Sequence, residues 1–177
     1  MYTQAMDTMG RDEPDGGKKG LGWARAEKDV RYDEWFFKAH FFQDPVQPGS
    51  LGIEAMLQLL QFHMLEQDMG KGIENPRFEP IAIGHQHSWK YRGQVVPTNK
   101  VIGSTMEITE VGVDPDGAPF AIAKASLWVD GKRIYEAPSI GMRIVPTGTA
   151  PEPTTKRADQ EETLDPKVLS WLGDHQP

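Results

Sequence analysis

The chain has 177 residues, which is enough for one domain of about 100–150 residues with extensions at its ends. It contains no cysteine, which excludes disulfide bonds, thiolate metal ligands and a cysteine nucleophile, and which fits a reducing, cytoplasmic environment. The formal net charge of −7 at pH 7 argues against general nucleic-acid binding.

Residues 1–20 are polar and rich in glycine and aspartate, which predicts an irregular N-terminal extension. They lack the basic and apolar regions of a signal peptide. No apolar run in the sequence reaches about 18 residues, so no membrane span is expected. Residues 21–30 alternate between apolar and polar side chains, and this alternation predicts a strand.

Residues 31–49 are aromatic and are interrupted by Pro45, Pro48 and Gly49, which predicts a loop. The loop must pack against another element, because its aromatic residues cannot all face water. They are Trp35, Phe36, Phe37, Phe41 and Phe42.

A helix is predicted from Ser50 to about Met69, with Ser50 as the N-cap and Gly70 as the residue that ends it. Its apolar residues leave no clean polar stripe, so it should be enclosed on most sides. Glu54 nevertheless lies in its first turn, and His40 lies in the preceding loop.

The rest of the fold is predicted to be an antiparallel sheet. Turn signals at 114–117 (DPDG) and 130–131 (DG) separate alternating segments, which predicts hairpins. A single sheet can hide so apolar a helix only by curling round it, so the predicted class is α+β. The predicted strands are 80–92, 99–113, 118–130 and 132–145.

The composition changes at about residue 146. Residues 146–163 are rich in Pro, Thr and charge and predict a flexible linker. Residues 164–177 regain apolar side chains and are interpreted as the possible start of a following domain. The main domain is therefore placed at 21–145.

Three other histidines have simpler interpretations. His85 and His87 share a face of a predicted strand, but no third ligand is evident, and no metal site is expected. His63 lies on the apolar helix and is interpreted as a hydrogen-bonded core residue.

The segment HFFQDPVQPGSLGIEAMLQ, residues 40–58, resembles the active-site loop and central helix of the β-hydroxyacyl-acyl carrier protein dehydratases. The flanking segments GWARAEKDVRYDEWFFKAHF, WKYRGQVVPTNKV and WVDGKRIYEA are similar to the decanoyl-type dehydratase/isomerase branch. The resemblance covers roughly residues 20–145. It is strongest to a dehydratase domain of a polyunsaturated fatty acid synthase or polyketide-type megasynthase. A short C-terminal match, WLGDH, resembles the entry to a second dehydratase motif.

The resemblance implies a hot-dog fold, in which a curled antiparallel sheet wraps a long central helix. It also implies that two such units pair, either as a homodimer or with an adjacent hot-dog domain of the same polypeptide, with active sites at the interface. The implied reaction is dehydration of a 3-hydroxyacyl thioester to the 2-enoyl thioester, in fatty acid or polyketide synthesis.

The resemblance also implies roles for the acid and the base. His40 is the base that removes the α-proton, since imidazole is largely neutral at physiological pH. The backbone carbonyl of Val46 orients its ring. Glu54 is the acid that protonates the departing hydroxyl group, because burial disfavours the charged form of a carboxyl group. Glu54 is expected to meet His40 of the other unit.

The start of the helix is expected to supply the hydrogen-bond donor to the thioester. The N–H of Gly49, with Ser50 nearby, lies at the positive end of the helix dipole and is expected to hold the thioester oxygen. Gln58, four residues after Glu54, is expected to orient it. Ser50 itself is interpreted by default as no more than the N-cap of the helix.

The substrate is expected to arrive on the phosphopantetheine arm of an acyl carrier protein, with no bound cofactor. Such carriers are acidic, as is this chain, so the carrier is hypothesised to be tethered in the same polypeptide. The decanoyl branch has Asp where this chain has Glu54, which leaves isomerisation of the double bond open. The alternatives are a non-catalytic hot-dog domain that docks carriers or supports a neighbour and, less favoured, a thioesterase.

Overall fold

The computed structural model describes residues 8–148, which form a sheet around one long helix. All strand pairs are antiparallel. The elements are β1 (Thr8–Glu13), β2 (Trp23–Asp29), α1 (Trp35–Ala39), α2 (Gly49–Glu66), β3 (Pro76–Phe78), β4 (Ser88–Tyr91), β5 (Val101–Val113), β6 (Pro119–Val129) and β7 (Lys132–Pro146).

The sheet has seven strands in the order β1-β2-β5-β6-β7-β3, and β4 also pairs with β7. The predicted hairpins β5–β6 and β6–β7 are confirmed. In the second of them, Asp130 and Gly131 have positive φ angles of 49° and 81°, as a tight two-residue hairpin turn requires. These long hairpins form the body of the sheet.

Helix α2 lies in the concave face of the sheet and contacts β2, β5, β6 and β7. The core consists of apolar side chains from the helix and from the inward faces of the strands. Its fully buried members include Met56, Leu59, Leu60, Met64, Met106, Ile108, Leu127, Ile140 and Met142. A sheet that contacts the helix from four strands is curled round it, and the predicted α+β hot-dog fold is confirmed.

The prediction that residues 1–20 are irregular is wrong for residues 8–13, which form the edge strand β1 paired with β2. Its sequence TMGRDE has no apolar alternation, so the strand pattern is absent from the sequence. Pairing with β2 satisfies its backbone groups. Asp12 Oδ1 also lies 3.0 Å from Nδ1 of His63, which is only 1% exposed. His63 is thus a hydrogen-bonded core residue, as predicted.

The bounds of α2 differ from the predicted ones. The helix begins at Gly49 with Pro48 as its N-cap, so Ser50 is not the cap. It ends at Glu66, and Asp68, not Gly70, takes the left-handed conformation, with φ of 53°. The N–H groups of Asp68 and Met69 donate to Leu65 O at 2.9 Å and Met64 O at 3.0 Å. These two bonds form a Schellman motif, which a non-glycine residue can close.

The predicted strand 80–92 is wrong as a single element, because β4 begins only at Ser88. Pro80 and Gly84, the latter with φ of 85°, interrupt the extended backbone. His85 and His87 therefore do not share a strand face. His85 Nε2 contacts Asp114 Oδ1 at 3.1 Å, and His87 bonds with Ala82 O at 2.8 Å and Gly141 N at 3.2 Å.

Residues 31–49 are predicted to be a loop, yet they contain the short helix α1. Within residues 8–148, neither helix is long and apolar enough to cross a membrane. The same residues contain no group of three or more His, Asp or Glu side chains that could hold a metal ion. The predicted C-terminal segment, and all but the first residues of the predicted linker, lie outside the described residues.

The ring of Tyr135 on β7 gives a testable pH dependence. Burial, reinforced by the nearby Tyr91, raises the pKa of Tyr135 from 10.0 to about 12. The protonated phenol is therefore favoured in the folded state. Its contribution to stability is complete below pH 10.0 and is lost as the pH rises through about 12. The free energy of unfolding, measured by urea denaturation, should fall over this range.

The variant Tyr135→Phe is the control, since it keeps the ring but cannot ionise. Its free energy of unfolding should fall less steeply over the same pH range. Identical alkaline slopes for the two proteins would contradict the burial of this hydroxyl.

Candidate active site

His40 lies at the junction between α1 and the loop that leads to α2. It is the C-cap of α1, and its backbone N–H donates to Phe36 O at 2.9 Å. Its ring Nδ1 lies 3.0 Å from the carbonyl oxygen of Val46. Because a carbonyl only accepts, Nδ1 carries the proton of the neutral ring, and Nε2 keeps its lone pair. Among the described residues, no group forms a hydrogen bond with Nε2.

The loop that supplies the Val46 carbonyl is fixed on both sides. Val46 and Gln47 are buried, each 6% exposed, and the Gln47 N–H donates to Val95 O at 3.0 Å. On the other side, the Phe41 ring packs at 4.1 Å against the His40 ring, centroid to centroid. The orientation of the imidazole therefore rests on backbone geometry and on packing.

The first turn of α2 places free N–H groups beside this loop. The N–H of Leu51 donates to Pro48 O at 3.0 Å, whereas those of Gly49 and Ser50 precede the first helical acceptors. Ser50 is exposed, and no side chain caps the helix. The arrangement leaves the positive end of the helix available to an oxygen atom that gains negative charge.

Gly49 and Gly52 let this helix start approach the sheet closely. A Cβ atom at Gly49 would lie 3.2 Å from Cε1 and Cζ of Tyr91. A Cβ atom at Gly52 would overlap Cε2 of Tyr135. The two tyrosines form a cross-strand pair, with ring centroids 4.7 Å apart and planes at 79°. The absence of two side chains therefore brings the helix N-terminus against two aromatic rings.

Glu54 projects from the second turn of α2. The prediction that it lies in the first turn is wrong, because the helix begins at Gly49 and its first turn contains no acidic residue. Gln58 Nε2 donates to Glu54 Oε1 at 2.9 Å, so the predicted contact between these side chains is present. Both residues are half-buried in the single chain, not enclosed. They lie on a stripe of α2, three to four residues apart, that is less buried than the opposite face. The stripe comprises Leu51, Glu54, Gln58, Gln61, Phe62 and Leu65.

The candidate residues form two groups within one chain. His40 contacts Val46, and Glu54 contacts Gln58, while Gly49 lies between them in sequence at the helix start. Within residues 8–148, the side chains of His40 and Glu54 form no hydrogen bond or ion pair with each other. A single chain therefore holds the imidazole and the carboxyl group without a direct contact of either kind between them.

Large aromatic side chains near these groups remain uncovered. Of the loop aromatics expected to pack, only Phe36 and Phe37 are buried, each 6% exposed. The uncovered set, called here the rim aromatics, consists of Trp35, Phe41, Phe42, Trp89 and Tyr91. An apolar surface of this kind marks a site of protein contact or ligand binding.

Two grooves elsewhere on the chain do not contain these residues. They have volumes of about 290 and 440 Å³ and are lined by residues such as Arg25, Gly103, Trp128 and Lys124. These strand residues alternate with the helix-facing ones, so the grooves lie on the outer face of the sheet. Neither groove includes any residue of the 40–58 segment.

Sequence reasoning missed Tyr91 and Tyr135 as neighbours of the helix start. Both lie in segments that carry the family resemblance, but nothing in the sequence shows that they form a pair. The contact depends on the β4–β7 register, in which Tyr91 is opposite Tyr135. An aromatic residue in each of two predicted strands was the only signal.

Comparisons with known proteins identify the family of this chain. The FabA-like domain family matches residues 2–138. A polyunsaturated fatty acid synthase protein of Thraustochytrium sp. (strain ATCC 26185 / S-3) is 41% identical over 133 residues, which are 72% of this chain. The chain spans only 8% of the length of that relative.

Solved structures support the fold alone. The crystal structure of S. sahachiroi AziG has a TM-score of 0.51 at 11% identity, covering 78% of this chain and 90% of that one. A probable thioesterase from Bartonella henselae has a TM-score of 0.51 at 10% identity, covering 73% of this chain and 96% of that one. Because the family match extends over most of the sequence, including the helix and the residues around it, the chain belongs to the FabA-like domain family.

Proposed function

We propose that this domain removes water from a 3-hydroxyacyl thioester to give the 2-enoyl thioester, as a dehydratase domain in polyunsaturated fatty acid or related polyketide-type synthesis. The observation that carries the proposal is the bond between His40 Nδ1 and Val46 O. The bond leaves Nε2, the other ring nitrogen, without a hydrogen bond to any described residue, in the loop that leads into the N-terminus of α2. Family membership and the name of the synthase relative support the same reaction class.

In the proposed reaction, His40 Nε2 takes the α-proton of the substrate. The electron pair moves toward the thioester oxygen, to which the Gly49 N–H donates, with the Ser50 N–H adjacent. One such preorganised donor is worth about 3 kcal/mol of transition-state stabilisation where it has been tested. The carbon–oxygen bond at the β-position then breaks, and Glu54 gives its proton to the leaving hydroxide, so water departs.

The acid and the base are proposed to meet across an interface between two hot-dog units. Glu54 and Gln58 lie on the less buried stripe of α2, and the rim aromatics beside His40 and Gly49 are uncovered. A partner that covered both would enclose the reaction and exclude water. We place a second copy of this chain there, because one chain carries both halves and a symmetric pair then completes two sites. An adjacent hot-dog domain in the same polypeptide could cover the same surface and supply the same groups.

The proposed elimination needs only proton transfer, so the domain is proposed to use no bound cofactor. Its substrate is proposed to be carried on the phosphopantetheine arm of an acyl carrier protein domain. Isomerisation of the 2-enoyl to the 3-enoyl product is a separate reaction. Glu54 stands where the decanoyl branch has Asp, so product analysis should include both isomers.

The assay for the reaction is incubation of the full chain with a 3-hydroxyacyl pantetheine thioester, followed by enoyl absorbance. His40→Ala and Glu54→Gln should each lower the rate at least about 100-fold, because each removes one proton-transfer group. Glu66→Gln is the matched control: it changes an exposed glutamate of the same helix and should leave the rate unchanged.

Three other outcomes would contradict the proposal. Release of free acid in place of the enoyl product would indicate a thioesterase, the activity named in one of the structures with the same fold. Carrier binding by a chain that causes no reaction would indicate a non-catalytic docking domain. If His40→Ala dehydrates the substrate as fast as the wild-type chain, the imidazole is not the base.

The charge distribution supports a tethered carrier. The β5–β6 turn contains Asp114 and Asp116, and the Arg143 guanidinium lies 2.8 Å from the first and 2.5 Å from the second. Arg143 also lies 3.2 Å from Glu79. Its hydrogen bond lowers the pKa of Asp116 below the usual value. This cation is already neutralised by three carboxylates and offers little attraction to an acidic carrier.

A separately added acyl carrier protein should therefore bind weakly, and its affinity should change little between low and high salt. A carrier fused to the chain through a flexible linker should deliver substrate much faster, because tethering raises its effective concentration. Isothermal titration and turnover assays measure the two effects. Tight binding that weakens steeply with salt would contradict the tethered arrangement.

A further inference from the structure

Tyr91 places its hydroxyl group, not only its ring, at the start of α2. The position of a Cβ atom on Gly49 lies 3.2 Å from Cζ of Tyr91 and 3.4 Å from its hydroxyl oxygen. The far end of the side chain therefore lies beside the first residue of the helix. The Gly49 N–H, the proposed donor to the thioester oxygen, belongs to the same residue.

The Tyr91 hydroxyl is free to bind another group. No described residue forms a hydrogen bond with it, and the residue is 51% exposed. Tyr135, its cross-strand partner, is only 2% exposed. At neutral pH a phenol hydroxyl is a hydrogen-bond donor. Of the two tyrosines at the helix start, only Tyr91 is thus both accessible and able to donate to a substrate.

Two contacts hold Tyr91 in place, one through its ring and one through its strand. Its ring packs edge-on against Tyr135 at 4.7 Å, centroid to centroid, and Tyr135 in turn lies under Gly52. The N–H of the next residue, Arg92, donates to Ile134 O at 2.7 Å. The strand that carries Tyr91 is therefore anchored to β7. A donor fixed in advance stabilises developing charge without reorganisation.

We propose that Tyr91 is a second donor to the thioester oxygen, acting together with the Gly49 N–H. The inference rests on the proposed dehydratase function and adds one residue to that site. The hydroxyl keeps its proton throughout and only donates a hydrogen bond, which strengthens as the oxygen gains negative charge. Tyr91 then stabilises the same enolate oxygen from the sheet side, and the helix does so from the other.

The first test is the variant Tyr91→Phe, which removes the hydroxyl and keeps the ring contact with Tyr135. In the full chain, kcat for dehydration should fall at least about tenfold with little change in KM, as expected for an interaction made mainly in the transition state. Tyr32→Phe is the matched control, because it removes the hydroxyl group of an exposed tyrosine outside the site and should leave kcat unchanged. Circular dichroism checks that both variants fold.

A second measurement does not require turnover. A saturated acyl pantetheine thioester has the same carbonyl but no β-hydroxyl, so it cannot be dehydrated. Its ¹³C-labelled carbonyl stretch, measured by infrared difference spectroscopy, should lie at lower frequency when bound to the wild-type chain than to Tyr91→Phe. A wild-type chain that shows this shift but no dehydration would refute the proposed function and leave the Tyr91 contact standing. Equal frequencies, or equal kcat values, would overturn the role of Tyr91.

Discussion

The close approach of the first turn of α2 to the strands beneath it is the constraint on which the site depends. Gly49 and Gly52 have no side chains to hold the helix away from Tyr91 and Tyr135. The helix N-terminus, with its unpaired N–H groups, is therefore fixed against a rigid aromatic pair. The loop before it is fixed as well, since the buried Val46 holds the imidazole of His40. The site is positioned by backbone and packing, not by long flexible side chains.

The single chain contains the proposed base and the proposed acid, but the two side chains do not contact each other. His40 is oriented by one loop, and Glu54 is oriented by Gln58 on a helix stripe that the sheet covers only in part. Two of the uncovered rim aromatics contact this region: Phe41 packs on the His40 ring, and Tyr91 lies at Gly49. These features are consistent with the proposed arrangement, in which a second unit covers the stripe and the rim and brings Glu54 to the His40 of its partner. The same cover would give a charged intermediate the low-dielectric surroundings in which fixed donors act most strongly.

Strong local patterns predicted the central helix, the hairpins and the proline-containing loop that leads into the helix. The Pro-Gly framework and the DG turn act through local backbone preferences, so their outcome can be read from adjacent residues. The larger errors occurred where contacts between distant residues determine the structure. Strand β1 is polar and exists because β2 pairs with it. A smaller, local error is the helix start, where Pro48 and not Ser50 is the N-cap. The place of Tyr91 depends on the register of β4 against β7, which no local pattern reveals.

The central claim is that His40 of one chain works with Glu54 of another, and mixed dimers test it most directly. His40→Ala and Glu54→Gln chains carrying different tags can be combined, and the mixed dimer isolated by both tags. Each parent should be inactive, whereas the mixed dimer should regain about half of the wild-type rate, because symmetry leaves one of its two sites intact. A mixed dimer that forms but stays as inactive as its parents would contradict the account.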